Sequence, residues 1–232
     1  MKTLSRLILV CLASCGPLSA QIGVSSSVVH SSDLKRPKGP AESVALKSRQ
    51  AIESGNRLRE KKEFDAALRA YQNAVRFQPE NGDAWFYLGM GYVNLHQLEA
   101  ARSSFRRSVL AAPEDPAKWF GLCLSHYLVG DYSSAVHTCK EAVRLDPQQP
   151  DLWAWMGLGY AGQRQWDKAI FSLECATALG TRNSDAWYTL GIRYARQGRR
   201  TKVLEVYRQL EELDPEQARK FFHIAVSPKS RG

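Results

Sequence analysis

Four tryptophans, Trp85, Trp119, Trp153 and Trp187, recur at intervals of 34 residues, and that spacing constrains the fold more than any other feature. Pro79, Pro113 and Pro147 keep the same interval, and Pro215 rejoins it two periods later. Trp85, Leu88, Gly89 and Tyr92 sit at i, i+3, i+4 and i+7, which is one face of a helix. A second helical face follows at Leu98, Ala101, Phe105 and Ser108, and Pro113 stops it. Gly89 is expected opposite Ala101, two small residues that let antiparallel helices approach closely. Asn81 and Asp115, just past their prolines, are expected to cap the next helix. One such pair leaves an apolar face uncovered, so successive pairs must stack.

Period and residue types together resemble the tetratricopeptide repeat, W-x2-L-G-x2-Y followed by A-x3-F and then P. Trp85, Leu88, Gly89, Tyr92, Ala101, Phe105 and Pro113 reproduce it in full. Counted from Ser48, five units follow without a gap: 48–81, 82–115, 116–149, 150–183 and 184–217. Departures are local: Ala51 replaces Trp in the first unit, Thr181 replaces Pro in the fourth, and Arg200 and Val203 stand at the aromatic and alanine positions of the second helix of the fifth. The resemblance implies an all-α fold, a right-handed superhelix of five helix–turn–helix repeats with a concave groove, spanning 40–226. Pro40 is expected to open a helix that lengthens the first unit. Residues 216–226 are expected to form a closing helix that lays Phe221, Phe222 and Ile224 over the last pair. Residues 227–232 are expected to form a loose tail.

Ahead of the repeats lies an address. Residues 1–20 have a basic start (Lys2, Arg6), an apolar run from Leu7 to Ala13 and then small residues, the order of a secretory signal. Two processing readings stand side by side. One is cleavage after Ala20. The other treats Leu12-Ala13-Ser14-Cys15 as a lipobox in which Cys15 is lipidated and anchors the protein to a membrane. Both describe an exported bacterial protein of the periplasm or cell envelope, anchored in the outer membrane if lipidated and otherwise secreted. Residues 21–39 are Ser-rich, lack aromatics and read as a flexible linker. No apolar run is long enough to span a membrane. With 44% hydrophobic residues, 24% charged residues and a net charge of +9, the chain is neither wholly disordered nor collagen-like. Five cysteines are too few for a small disulfide scaffold.

In the family, certain first-helix positions line the concave wall. Here they hold Phe86, Tyr87, Met90, Asn94, Phe120, Leu124, Tyr127, Trp155, Leu158, Tyr188, Ile192 and Arg196. So many aromatics on one wall point to a surface for an extended or helical segment of another protein. Tyr87 and Trp155 are the chief candidates. Phe86, Phe120 and Tyr188 fit either the wall or packing on a neighbouring pair. Asp83, Asp151 and Asp185 either orient a partner or simply suit the dipole of a first turn. The family's clamp for chaperone-tail carboxylates does not transfer: apart from Asn56, its positions hold Ile52, Tyr87, Ala117 and Gly121.

No catalytic motif, phosphate loop or metal-ligand spacing is present, and the five histidines are scattered. The chain therefore reads as a non-enzyme with no cofactor or metal, a scaffold of the kind that helps assemble envelope or pilus complexes. Two alternatives remain: an accessory module of cell-wall polymer metabolism, and a self-associating structural protein. Basic residues gather at Arg102, Arg106 and Arg107, and again at Arg193, Arg196, Arg199, Arg200 and Lys202. They read as solvated faces and not as a nucleic-acid site, with lipid headgroups or anionic envelope polymers as the other partners. The third unit carries Cys123, His126 and Cys139 where the pattern wants Gly, Tyr and an aromatic. A disulfide or a metal site is weighed there against packing of two small core thiols. Because the two cysteines are expected about a turn out of register, packing is the preferred reading. Cys175 is expected on the outer side of its helix.

Overall fold

A computed structural model describes residues 39–226. The signal, Cys15, the linker up to residue 38 and the tail 227–232 lie outside the described residues. The described chain is helical throughout. The inner, first helices are α1 (Pro40–Glu60), α3 (Gly82–Asn94), α5 (Pro116–Leu128), α7 (Pro150–Gly162) and α9 (Ser184–Arg196). The outer, second helices are α2 (Phe64–Phe77), α4 (Leu98–Ala111), α6 (Tyr132–Leu145), α8 (Trp166–Ala178) and α10 (Arg200–Leu213). A short α11 (Pro215–Phe221) runs into a π-helical turn at Phe222–Val226.

Starts and stops follow from local chemistry. Asn81 Oδ1 accepts from the Asp83 and Ala84 amides at 2.9 and 3.3 Å, and Asp115 Oδ1 from the Ala117 amide at 2.9 Å. Pro116 and Pro150 occupy the opening turns of α5 and α7, where no amide is needed. Within every pair the turn contains one residue of positive φ: Lys62, His96, Gly130, Arg164 and Gly198, again 34 apart. In each case the next amide reaches back to the inner helix, as Gln97 N does to Tyr92 O at 2.9 Å and Gln165 N to Tyr160 O at 2.9 Å. This is the glycine-favouring helix stop, imposed here on three residues that are not glycine.

Two contacts repeat along the array. First, each period tryptophan donates its indole N–H to the backbone carbonyl six residues earlier. Trp85 bonds to Pro79, Trp119 to Pro113, Trp153 to Pro147 and Trp187 to Thr181, at 2.6 to 3.0 Å. The bond uses a carbonyl, so Thr181 serves as well as proline. Second, the eighth residue of each unit faces the twenty-fourth or its neighbour. A Cβ on Gly55 would collide with the Tyr71 ring, one on Gly89 would lie 2.8 Å from Phe105, and one on Gly157 2.7 Å from Leu173. Gly89 therefore opposes Phe105 and not Ala101.

The third unit replaces this contact with a covalent bond. Cys123 and Cys139 form a disulfide, with Cα atoms 5.3 Å apart and both side chains fully buried. The expectation of two packed thiols out of register is overturned, because the facing pair lies one turn further along the second helix than Gly89–Ala101 suggested. Cys175 is buried as well, not on the outer side. The α8–α9 connection folds back over the last turn of α8, with the Leu179 and Thr181 amides bonded to the Cys175 and Ala176 carbonyls at 3.0 Å.

Inner helices touch inner helices of the next unit, whereas outer helices touch only their own pair and the following inner helix. The array therefore curves as a right-handed superhelix, with the inner helices on its concave side. The closing segment covers only part of the last face. Phe221, one period beyond Trp187, is fully buried against Gly191 and Val206. Phe222 touches the last pair only through the Tyr207 ring, 5.5 Å between centroids, and stays 40% exposed, while Ile224 is 54% exposed. They fall in the wider π turn, which rotates them away from the slot that Phe221 fills.

Candidate functional site

The inner wall carries two separate aromatic groups, with no ring contact joining them among the described residues. In the first, Tyr87 stacks on Tyr71 with centroids 5.8 Å apart, and Phe86 meets Tyr87 and Phe105 edge-on at 5.5 and 5.6 Å. Phe86 is pinned by the next unit, since a Cβ on Gly121 would lie 3.0 Å from its ring. Met90 packs against the Phe105 cluster, and Asn94 is half-buried at the end of α3. Asn56, the one residue left of a clamp, accepts the Tyr71 hydroxyl at 2.8 Å.

The second group lies across α5 and α7. Trp155 meets Tyr127 edge-on at 5.1 Å and Phe120 at 6.4 Å, and Tyr127 meets Tyr132 at 5.4 Å. All four rings are half-buried. Tyr127 has its pKa raised, first by burial and then by Tyr132 and the Asp185 carboxylate. Leu124 is half-buried beside them on the same helix. Further along, Tyr188 contacts Phe221 at 6.0 Å, Ile192 packs on the last core cluster, and Arg196 is exposed.

One expected wall residue is not on the wall. Leu158 is only 5% exposed, in a core with Leu173, Ala176, Ala186 and Leu190, because α9 of the following unit covers it.

The wall also contains a residue the sequence pattern did not single out. Lys118 at the start of α5 has a side chain only 6% exposed, ion-paired with Asp83 of the preceding unit and with Asp115 at 3.1 Å, its Nζ 4.9 Å from the Phe86 ring centre. Burial alone lowers its pKa, but the hydrogen bonds and charges of Asp83 and Asp115 outweigh that, so the net direction is upward. The available signal was a lysine 35 residues after a first-turn aspartate. The other first-turn acids are also engaged within the chain: Asp151 accepts from Thr181 at 2.8 Å and Asp185 from Gln217 at 2.7 Å. Among the described residues, no three of His, Cys, Asp or Glu are grouped to hold a metal. His126 stands apart from the two cysteines in its chemistry, with Nδ1 3.4 Å from Asp131 Oδ2 but without hydrogen-bond geometry.

Residues 24–226 match the family described as the cilia and flagella-associated protein 70 C-terminal domain, a tetratricopeptide-repeat domain. The chain belongs to this tetratricopeptide-repeat family. No curated protein matches it significantly in sequence. Solved tetratricopeptide structures match its fold. TTC0263 of Thermus thermophilus is 22% identical with a TM-score of 0.63, over 76% of this chain and 97% of that one. YrrB, described as having an unusual peptide-binding site, is 22% identical with a TM-score of 0.56, over 73% and 89%. MamA from Desulfovibrio magneticus RS-1 is 19% identical with a TM-score of 0.61, over 74% and 97%. The tetratricopeptide array thus has the architecture of an interaction scaffold.

Proposed function

We propose that this tetratricopeptide protein is a non-catalytic scaffold that holds an extended or helical segment of another protein against its inner wall. The observation that carries this reading is the cluster of Phe120, Tyr127 and Trp155 on the concave side, with Trp155 in contact with both other rings and each ring left partly open to solvent. Rigid aromatics of this kind supply contact area at little entropic cost. YrrB, with the same fold, is described by its peptide-binding site, which supports the reading by analogy. We place the protein outside the cytoplasm, in the periplasm or cell envelope, where assembly of an envelope or pilus complex is the matching role. The basic, then apolar, then small-residue order of residues 1–20 supports export, with Cys15 or Ala20 as the processing point. A fully buried disulfide supports it too, since such bonds persist in oxidising compartments.

The test compares the intact protein with a Tyr87→Ala/Trp155→Ala variant in capture of partners from envelope extract, with helicity checked for both. Loss of partners from the variant is expected; unchanged recovery on an intact fold removes the inner wall as the working surface. Self-association is a second reading, favoured by the exposed Leu204, Phe222 and Ile224 near the closing turn. Sedimentation at several concentrations, repeated with Ile224→Glu, decides it.

A further inference from the structure

The outward faces of the outer helices are unevenly charged. Ala67, Tyr71 and Ala74 turn inward from α2, as do Ala101, Phe105 and Ser108 from α4 and Ala135, Cys139 and Ala142 from α6, all buried. Helical spacing then puts Arg69 and Arg76, Arg106 and Leu110, and Lys140 and Arg144 on the outward side of those three helices. Arg76, Leu110 and Arg144 are 34 residues apart and so hold one place on successive helices. Seven cations and three acids give α2, α4 and α6 together a charge of +4. Four cations and five acids leave α8 and α10 together at −1. Arg102 and Arg144 are paired with Glu99 and Glu141, but Arg69, Arg76, Arg106 and Lys140 have no carboxylate within ion-pair distance among the described residues. Leu110 stands among these cations at 76% exposure, more than any other large apolar residue among the described ones.

We propose that the outward faces of α2, α4 and α6 dock on an anionic bilayer surface, with Arg76, Arg106 and Lys140 on headgroup phosphates and Leu110 at the headgroup–acyl boundary. Cations alone would suit any polyanion. A leucine this open to water gains nothing from a soluble polyanion, whereas the boundary of a bilayer takes it out of water. The three helices do not touch one another, but the long stems of arginine and lysine let charged heads reach one plane from all three. In the fourth and fifth units the same places hold Glu174 and Ala178, then Arg208 and Glu212, so the contact ends with α6. The docking surface thus lies at the N-terminal end of the array, the end that an acyl chain on Cys15 would tether, yet it needs no acyl chain. The inner wall faces away from the bilayer and stays open, so a protein segment in the groove makes no contact with Leu110.

The experiment measures co-sedimentation of the full chain with vesicles of phosphatidylcholine alone and of phosphatidylcholine with about 40% phosphatidylglycerol. Any acyl chain adds equally to both, so the ratio of the two partition coefficients isolates the headgroup contribution. Each cation at an anionic surface corresponds to about fivefold, so three give a preference of about a hundredfold for the anionic vesicles at low salt. That preference should collapse as salt is raised. Arg106→Gln and Lys140→Gln should each weaken anionic-vesicle binding about fivefold, and Leu110→Ser about tenfold. Arg208→Gln on α10 should change nothing, and circular dichroism should show equal helicity for all variants. Equal partition of the wild type between the two vesicles overturns the proposal, as does an Arg106→Gln/Lys140→Gln variant that binds as the wild type does. Heparin serves as the soluble polyanion. If it binds the wild type while Leu110→Ser leaves vesicle binding unchanged, the face is a polyanion site and the bilayer reading falls.

Discussion

Reducing the Cys123–Cys139 bridge perturbs the array at its centre. The two residues are 16 apart in sequence, and a loop of that size constrains the unfolded chain by about 3 kcal/mol in the chain-entropy account. For a domain of this length each kcal/mol shifts the melting temperature by roughly 2–4 °C, so a drop of about 6–12 °C is expected on reduction. The loss falls on the third unit, whose two neighbours rely on it for their facing surfaces; in a one-dimensional array it weakens coupling between the ends as well. Thermal melts by circular dichroism, with and without reductant added to unfolded and refolded protein, measure the shift. A Cys123→Gly/Cys139→Phe variant recreates the Gly89–Phe105 contact, and its melt should not respond to reductant. Because both sulfurs are buried, treatment with reductant and then an alkylating agent should leave Cys123 and Cys139 unlabelled until the protein unfolds. Identical melts of oxidised and reduced wild type, or peptide mapping that finds free thiols at both Cys123 and Cys139 in the native protein, would refute the reasoning.

Three further outcomes follow from the same contacts. Trp119→Phe keeps the ring but removes the donor to Pro113 O, and should cost about 1 kcal/mol in chemical denaturation; no change would mean that the indole bond contributes nothing. His96→Gly relieves a positive-φ residue in the turn after α3 and should stabilise the protein by roughly 0.5–1 kcal/mol; destabilisation would contradict the repeated turn geometry. His126 has its pKa lowered, by burial first and by Arg102, against the opposing pull of Asp131 and Glu99. The unfolded chain therefore binds the extra proton more readily, and stability should fall as pH drops below about 6.5. His126→Asn should flatten denaturation midpoints between about pH 7 and pH 5; an unchanged slope would assign that dependence to other groups.

The 34-residue period made the helical array legible because the tryptophan, the proline and the small residue at the eighth place each meet a repeating partner. The partners themselves were harder to read. Pairing Gly89 with Ala101 in place of Phe105 shifted the seam by one turn, and that shift hid the disulfide. The inner-helix position of Leu158 was legible in sequence, but not that α9 would bury it. Lys118 was missed because both of its acids come from the preceding unit, a relation that no single-unit pattern contains. The recurring left-handed turn was invisible for another reason. Lys62, His96, Gly130, Arg164 and Gly198 share a conformation imposed by the helix pair, not a residue type. At the C-terminal end the apolar run 221–224 suggested a continuous cap. Only a change of helical pitch, which composition does not encode, separates Phe221 from Phe222 and Ile224.

The inner wall as the working surface is tested most directly by photo-crosslinking. A benzoylphenylalanine replaces Trp155 on the concave side in one protein and Leu110, 76% exposed on the outer helix α4, in another. Irradiation with partner-containing extract should give a defined adduct from position 155 and none from position 110. An adduct from position 110 with none from position 155 would contradict the account.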